Sequence, residues 1–244
     1  MVIPAQHPAL LCNCAVRIAE IYKSTQGEGG LTGTTSGFVR VTGCNLRCWY
    51  CDTPYTSWDP QGENLEVPEV FQRVQALDCR HVVITGGEPM IYGDLVLLCE
   101  RLRATGHHIT VETAGTRFLP LHCDLMSISP KLANSIPSLE RAGEWRDRHE
   151  QRRHRPAVMR QLIDTYSTYQ IKFVIDQPAD CDEVVRYLVN YPQIPQNRVF
   201  LMPQGIDQPT LITKRQWLEP WCQQHGYSYC PRKHIEWFGK MPAS

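Results

Sequence analysis

Short apolar runs of strand length recur along this chain, and almost every one is followed at once by a glycine, a polar motif or a cysteine. The runs lie at 37–41, 81–85, 107–112, 124–129, 170–175 and 198–202, with another strand candidate at 16–22. Helical patterns separate several of them. Val70, Phe71, Val74 and Leu77 recur at helical spacing behind Pro68, which a first turn tolerates. The segment 94–104 is similar and stops before Gly106. Asp180 can cap a helix over 181–190 that ends ahead of Pro192, and 214–225 is a further helix candidate. Alternation of this kind calls for parallel strands joined by right-handed crossovers. About six parallel strands are too few to close an eightfold barrel. The expected fold is therefore α/β: a partial, open β/α barrel in a single domain. Its chemistry belongs at the C-terminal strand ends. The segments 44–51, 85–88, 112–113, 129–131 and 202–204 each follow a strand directly, so one mouth collects them.

The most specific of these segments holds Cys44, Cys48 and Cys51 in a C-x-x-x-C-x-x-C loop. Iron–sulfur clusters are usually held by four thiolates. Three thiolates in one short loop fix three irons of a cubane and leave the fourth open to a chelating ligand. Positions i, i+4 and i+7 also make a stripe on a helix, where buried cysteines are small hydrophobes. Gly43 before the loop and Pro54 after it argue against a helix. Structural zinc takes four ligands, and no fourth stands nearby.

Charge and cysteine usage set outer bounds. Twenty-five basic residues balance twenty-five acidic ones over 244 residues. No chain-wide positive field exists to hold nucleic acid. No apolar run approaches the roughly 20 residues that span a bilayer, and the first residues do not read as a signal peptide. Eleven cysteines, an odd number in a long chain, favour a reducing, cytoplasmic setting. Cys12 and Cys14 form a C-x-C pair without a third ligand beside it, and that pair is read as incidental. Residues 1–15 read as an N-terminal arm ahead of a domain over 16–244. Within that domain, 137–162 breaks the rhythm. Arg, Glu, Asp and His dominate 140–155, with Trp145 the one large apolar residue there. A solvated helix or mobile insertion is the plainer reading of that stretch; a lid or partner surface is the other.

The cysteine loop resembles the cluster motif of the radical S-adenosylmethionine superfamily. Within it, the chain resembles the 7-carboxy-7-deazaguanine synthases of queuosine and deazapurine biosynthesis. The likeness rests on Ser24-Thr25-Gln26-Gly27-Glu28-Gly29, Phe38-Val39-Arg40, Cys51-Asp52-Thr53, Ile84-Thr85-Gly86-Gly87-Glu88-Pro89, Glu112-Thr113-Ala114-Gly115-Thr116 and Ser129-Pro130-Lys131, in family order from about residue 18 onward. It implies a [4Fe–4S] cluster on Cys44, Cys48 and Cys51, with S-adenosylmethionine on the open iron. Electron donation into the sulfonium would then leave a 5′-deoxyadenosyl radical. The implied cofactor contacts are Tyr50 against the adenine, Asp52, and Gly87 and Glu88 near the ammonium. Ser129, Pro130, Lys131 and Gln204 complete them. Tyr50 can equally pack the loop. Family members place magnesium at the position of Thr53, a weak neutral ligand that needs a carboxylated substrate beside it. Thr25, Gln26, Gly27, Arg40 and Thr85 fall on the substrate side. Arg40 is suited to grip a carboxylate through two hydrogen bonds. Glu28, Glu112, Arg232 and His234 are open candidates, and a solvated strand end is an equal reading of the run 230–239.

The implied reaction turns 6-carboxy-5,6,7,8-tetrahydropterin into 7-carboxy-7-deazaguanine with loss of ammonia. It calls for an electron donor such as flavodoxin or ferredoxin, and the family leads one to expect a homodimer. Two rivals share the cysteine loop. An activating enzyme that installs a glycyl radical on a partner protein needs a docking surface but neither Thr53 nor the Thr25-Gln26-Gly27 pattern. An iron–sulfur redox protein normally completes its cluster with a fourth cysteine.

Overall fold

The computed structural model describes residues 15–239. The expected arm, apart from Ala15, and the Cys12/Cys14 pair lie outside the described residues. In chain order the elements are β1 (Ala15–Thr25), β2 (Thr35–Val41), α1 (Pro54–Ser57), β3 (Glu63–Glu66), α2 (Val67–Gln75), β4 (His81–Gly86), α3 (Leu95–Ala104), β5 (His108–Thr113) and β6 (Leu125–Ile128). There follow α4 (Leu139–Ala142), α5 (Trp145–Arg153), α6 (Pro156–Thr165), β7 (Tyr169–Ile175), α7 (Pro178–Leu188), β8 (Val199–Pro203), α8 (Gln208–His225), β9 (Ser228–Tyr229) and α9 (Lys233–Phe238).

The strands form one sheet in the order β3-β1-β2-β4-β5-β6-β7-β8-β9. Every pairing from β2 through β9 is parallel. The sheet is open rather than closed: β3 and β9 are its edges. The expected strand runs become β2, β4, β5, β6, β7 and β8. The candidate at 16–22 differs in direction, since β1 runs antiparallel to both β2 and β3. The short connection from β1 to β2 allows only a hairpin, because a parallel return needs a long crossover. β3 escaped the periodicity because its four residues bury only Leu65.

Period-two alternation sorts the side chains of the parallel strands. Ile171, Phe173 and Ile175 of β7 join Val39, Val41, Val82, Ile84, Val111 and Ile128 in the buried core with the apolar faces of α2, α3, α6 and α7. The alternate positions Phe38, Arg40, Val83, Thr85, Glu112, Lys172 and Val174 line the inside of the curve.

Helix ends differ from expectation by local chemistry. Asp180 is not the residue before α7 but its third. Its carboxylate accepts the Asp176 and Gln177 backbone N–H groups at 2.7 and 2.9 Å, so the helix begins at Pro178. α8 begins at Gln208 because Asp207 caps it, accepting the Thr210 backbone N–H at 2.9 Å.

Two glycines let the end of β4 press against the end of β2. A side chain on Gly86 would meet the Val41 carbonyl oxygen at 2.1 Å, and Gly86 sits at φ +128°. One on Gly87 would meet the Gly43 carbonyl oxygen at 2.0 Å. That close approach lets Gly87 N donate to Val41 O and Glu88 N to Gly43 O, each at 3.0 Å, which seats the start of the cysteine loop on the sheet.

The stretch 137–162 carries α4, α5 and part of α6. Most of α5 is exposed, but His149 is fully buried, and both α4 and α5 reach the cysteine loop.

Substituting Gly87→Ala forces backbone against backbone. We expect the thermal midpoint of the metal-free protein to fall by about 5 °C or more, whereas Gly93→Ala, with no atom within 4 Å of the added carbon, stays within about 2 °C. Calorimetry of both variants checks this.

Candidate active site

A cavity of about 510 Å³ opens at the C-terminal ends of the parallel strands. That volume suits a cofactor and a small substrate. Cys44, Cys48, Cys51, Tyr50, Asp52, Thr53, Gly87, Ser129, Lys131, Gln204, Thr25, Gln26, Gly27, Arg40 and Thr85 all line it. Of the residues anticipated from sequence, Glu88 and Pro130 do not. Glu88 lies wholly buried behind the wall. Its carboxylate accepts from Thr113 Oγ1 at 2.7 Å, Ala114 N at 2.8 Å and Met90 N at 3.0 Å, tying the ends of β4 and β5 together.

The cysteine loop is irregular, so its backbone groups need partners from outside a ladder. Arg47 folds its guanidinium back, and Nη1 donates to Cys44 O and Leu46 O at 2.8 Å. Trp58 Nε1 donates to Cys48 O at 3.0 Å. Trp49 N donates to Ser135 O at 3.2 Å, and Arg141 Nη1 donates to Trp49 O at 2.9 Å. Cys51 Sγ lies 3.2 Å from Ser57 Oγ.

The thiols are free and carry raised pKa values. Burial, then the neighbouring Glu88, pushes Cys44 up strongly; burial pushes Cys48 up to about 12 against the pull of Lys131; burial and Asp52 raise Cys51. All three are protonated near neutral pH without metal, so a cationic cluster must displace those protons on binding. Among the described residues, no three His, Cys, Asp or Glu side chains converge as ligands of a single ion. The three thiols share one wall instead, and that arrangement fits separate irons of a larger cluster.

Next to the thiols, Lys131 Nζ donates to Ser129 O at 2.6 Å and Ser129 Oγ at 2.9 Å. Gln204 Oε1 accepts from Lys214 Nζ at 3.1 Å, so the amide is oriented by its carbonyl end. Thr53 Oγ1 accepts from Thr56 Oγ1 at 3.2 Å and stands 3.8 Å from Cys51 Sγ. Its remaining lone pair gives the cavity a hard oxygen beside the cluster wall, the donor type magnesium takes.

Across the cavity runs a belt of charge. Arg40 and Thr85 are register partners on β2 and β4. Arg40 Nε donates to Glu20 Oε1 and Nη2 to Tyr22 Oη, each at 2.5 Å, which leaves Nη1 without a protein partner among the described residues. Thr85 Oγ1 donates to Glu112 Oε2 at 2.8 Å, and Lys172 Nζ donates to Glu112 Oε1 at 2.6 Å and Glu28 Oε2 at 3.2 Å. Glu28 Oε1 accepts from Arg232 Nε at 3.2 Å; Arg232 also donates to Gly205 O at 2.6 Å and to Asp52. Burial alone would push Glu28 up, but Lys172, Arg232 and His234 hold its carboxyl well below the ordinary range. Burial would push Lys172 down, and Glu112 with Glu28 keep it well above the ordinary lysine range.

Gly27 brings the C-terminal segment into this belt. A side chain there would meet His234 N at 2.5 Å, and Gly27 O accepts from Lys233 N at 2.9 Å. The run 230–239 is therefore not a solvated strand end: Arg232 is buried and α9 follows it. Gln26 is buried too, with Nε2 donating to Ser36 Oγ at 2.9 Å.

Sequence reasoning missed Lys172, Tyr22, Tyr55 and Ser57 as cavity residues. A signal for Lys172 existed. Gln170 and Lys172 occupy alternate positions in an otherwise apolar strand, the pattern of one polar face inside a barrel.

Residues 38–177 match the Radical SAM superfamily. The chain is 44% identical over 247 aligned residues to the 7-carboxy-7-deazaguanine synthase of Rhodopirellula baltica, covering 98% of this chain and 95% of that one. It is 42% identical to the enzyme of that name from Halobacterium salinarum, over 93% and 92% of the two chains. The chain belongs to the 7-carboxy-7-deazaguanine synthase family. The crystal structure of QueE from Escherichia coli has the same fold, with a TM-score of 0.61 at 20% identity over 89% of this chain and 93% of the other. As a radical SAM synthase, the chain has its cysteine loop where the superfamily carries a [4Fe–4S] cluster and S-adenosylmethionine. Among the described residues no helix is long and apolar enough to cross a membrane.

Lys172→Met removes the cation paired with Glu112 and one of the two paired with Glu28. We expect a loss of about 3–5 kcal/mol at pH 7. Because Glu28 has a depressed pKa, its contribution is present above about pH 4.5 and is lost as the pH falls below that. The gap between wild type and variant should therefore narrow toward pH 3. Urea unfolding of the metal-free proteins across that range measures it.

Proposed function

We propose that this chain converts 6-carboxy-5,6,7,8-tetrahydropterin to 7-carboxy-7-deazaguanine with loss of ammonia. The observation that carries the reading is that three cysteine thiols and an arginine with a free guanidinium edge face one shared cavity. Cys44, Cys48 and Cys51 would hold the cluster, and Thr53 would hold magnesium. Tyr50, Asp52, Gly87, Ser129, Lys131 and Gln204 would contact S-adenosylmethionine at the wall, with Glu88 and Pro130 shaping that wall from behind. The cluster and S-adenosylmethionine, when bound, would supply one-electron chemistry for removing a hydrogen atom from substrate carbon.

The protein's own residues bind and orient. Glu20 and Tyr22 hold the Arg40 guanidinium from one side, so Nη1 and the second Nη2 proton remain for a substrate carboxylate. Thr85 and Glu112 present a hydroxyl and a carboxylate oxygen to a ring with N–H donors. Thr25, Gln26 and Gly27 border the same ring, with Gln26 Oε1 available as an acceptor. Lys172 and Arg232 together balance Glu112 and Glu28, which leaves the open edge of Arg40 as the cation for a substrate carboxylate. A flavodoxin or ferredoxin as electron donor, a homodimer and a cytoplasmic setting complete the proposal.

An activating enzyme acting on a protein loop is the weaker reading. The matched synthases span nearly their whole length, and Arg40 offers a grip suited to a small acid. Anaerobic incubation of reconstituted protein with the pterin, magnesium, S-adenosylmethionine and a reductant should yield 7-carboxy-7-deazaguanine. Formation of 5′-deoxyadenosine without that product would contradict the substrate assignment. Arg40→Lys, which keeps charge but loses the planar fork, should cut kcat/KM about 10- to 100-fold, mainly through KM. Thr53→Ala should abolish the rate response to magnesium; full activity with an unchanged magnesium response removes the metal assignment.

A further inference from the structure

The charged stretch after β6 reaches the cysteine loop through more than surface charge. His149 of α5 is fully buried. Arg47 N, in the middle of the loop, donates to His149 Nδ1 at 3.0 Å. A backbone N–H can only donate, so Nδ1 is bare and the ring proton of the neutral imidazole sits on Nε2. Nε2 lies 2.9 Å from Ser135 Oγ, whose own hydroxyl donates to Leu132 O at 2.6 Å. Every donor in this chain has an acceptor, and its direction is set by the amide at one end and the carbonyl at the other. Around the pin, the Arg47 guanidinium stacks on Trp145 at 3.8 Å. Arg141 of α4 holds Trp49 O and lies over the Trp58 ring at 4.1 Å, while Trp58 itself holds Cys48 O.

We propose that α4 and α5 form a brace on the cysteine loop, with His149 as the positioning residue that fixes the loop in its cluster-binding shape before iron arrives. The claim rests on the loop being a cluster site, but the brace itself is a property of the metal-free chain. His149 touches no thiol; it acts through the Arg47 amide. If that amide loses its acceptor, the three residues between Cys44 and Cys48 and their neighbours gain a backbone freedom that the thiols then have to lose when they close on the cluster.

Two replacements separate the halves of the imidazole. His149→Asn keeps an acceptor oxygen near the position of Nδ1. His149→Gln extends its amide toward the position of Nε2 and leaves the Arg47 N–H without a partner. Amide hydrogen exchange of the metal-free proteins over residues 45–49 is the first readout. We expect His149→Asn to stay within about twofold of wild type and His149→Gln to exchange at least tenfold faster there, with exchange in β5 and β7 unchanged. The second readout is iron and sulfide per chain after anaerobic reconstitution and a timed chelator challenge. Retention should follow the order wild type, His149→Asn, His149→Gln, with several-fold faster loss in the last. Equal exchange over 45–49 in all three proteins overturns the brace. So does faster exchange spread evenly over the sheet in both variants, which marks His149 as ordinary packing. If the loop exchange behaves as expected but wild type takes up no iron and sulfide, the brace stands and the cluster reading falls.

Discussion

Three thiols, one buried and two half-buried, must be presented together by a segment that forms no helix and no ladder. The rest of the site is arranged around that demand. Unpaired backbone groups in a buried loop cost free energy comparable to a lost hydrogen bond each. Here the sheet supplies part of the solution from below. Gly86 and Gly87 allow β4 to lie against Val41 and Gly43, and any side chain at Gly87 would collide with the Gly43 carbonyl. Side chains supply the remainder from above: Arg47, Trp58, Arg141 and His149 each take a loop carbonyl or amide. The raised thiol pKa values follow from the same burial. They mean that the metal-free site stores three protons in place of positive iron.

The opposite wall solves a different problem with charge. Lys172 and Arg232 are buried cations and Arg40 a half-buried one, and each is matched to carboxylates or to a tyrosine hydroxyl by hydrogen bonds. Such networks contribute little net stability compared with apolar packing, but breaking one member is costly. Their value here lies in geometry. The belt links β1, β2, β4, β5 and β7 to the loop at Glu28 and the C-terminal segment at Arg232, then reaches Asp52, directly after Cys51.

Much of this was legible in the residues. The apolar runs located the six main parallel strands, because buried strands in an α/β sheet leave continuous hydrophobic stretches. The motifs at the strand ends located the mouth, because strand direction sends every such loop to the same side. Less legible were features created by tertiary contact. β3 and β9 are too short to carry a period. Arg232 looked like a solvated end because nothing local reveals that Gly27 lets the C-terminal segment dock across β1's loop. The composition of 140–155 signals solvent, and for most of α5 that is right. His149 is buried because one ring among many charges fits between Arg47 and Ser135, a fact of packing that composition does not encode.

The central claim is an iron–sulfur cubane with three protein ligands and one iron left for a small molecule. Mössbauer spectra of anaerobically reconstituted protein, recorded with and without S-adenosylmethionine, test it directly. One iron in four should change its isomer shift on addition of the ligand while the other three stay put. A spectrum that is indifferent to the ligand, or a preparation with no sulfide and one zinc per chain, contradicts the account.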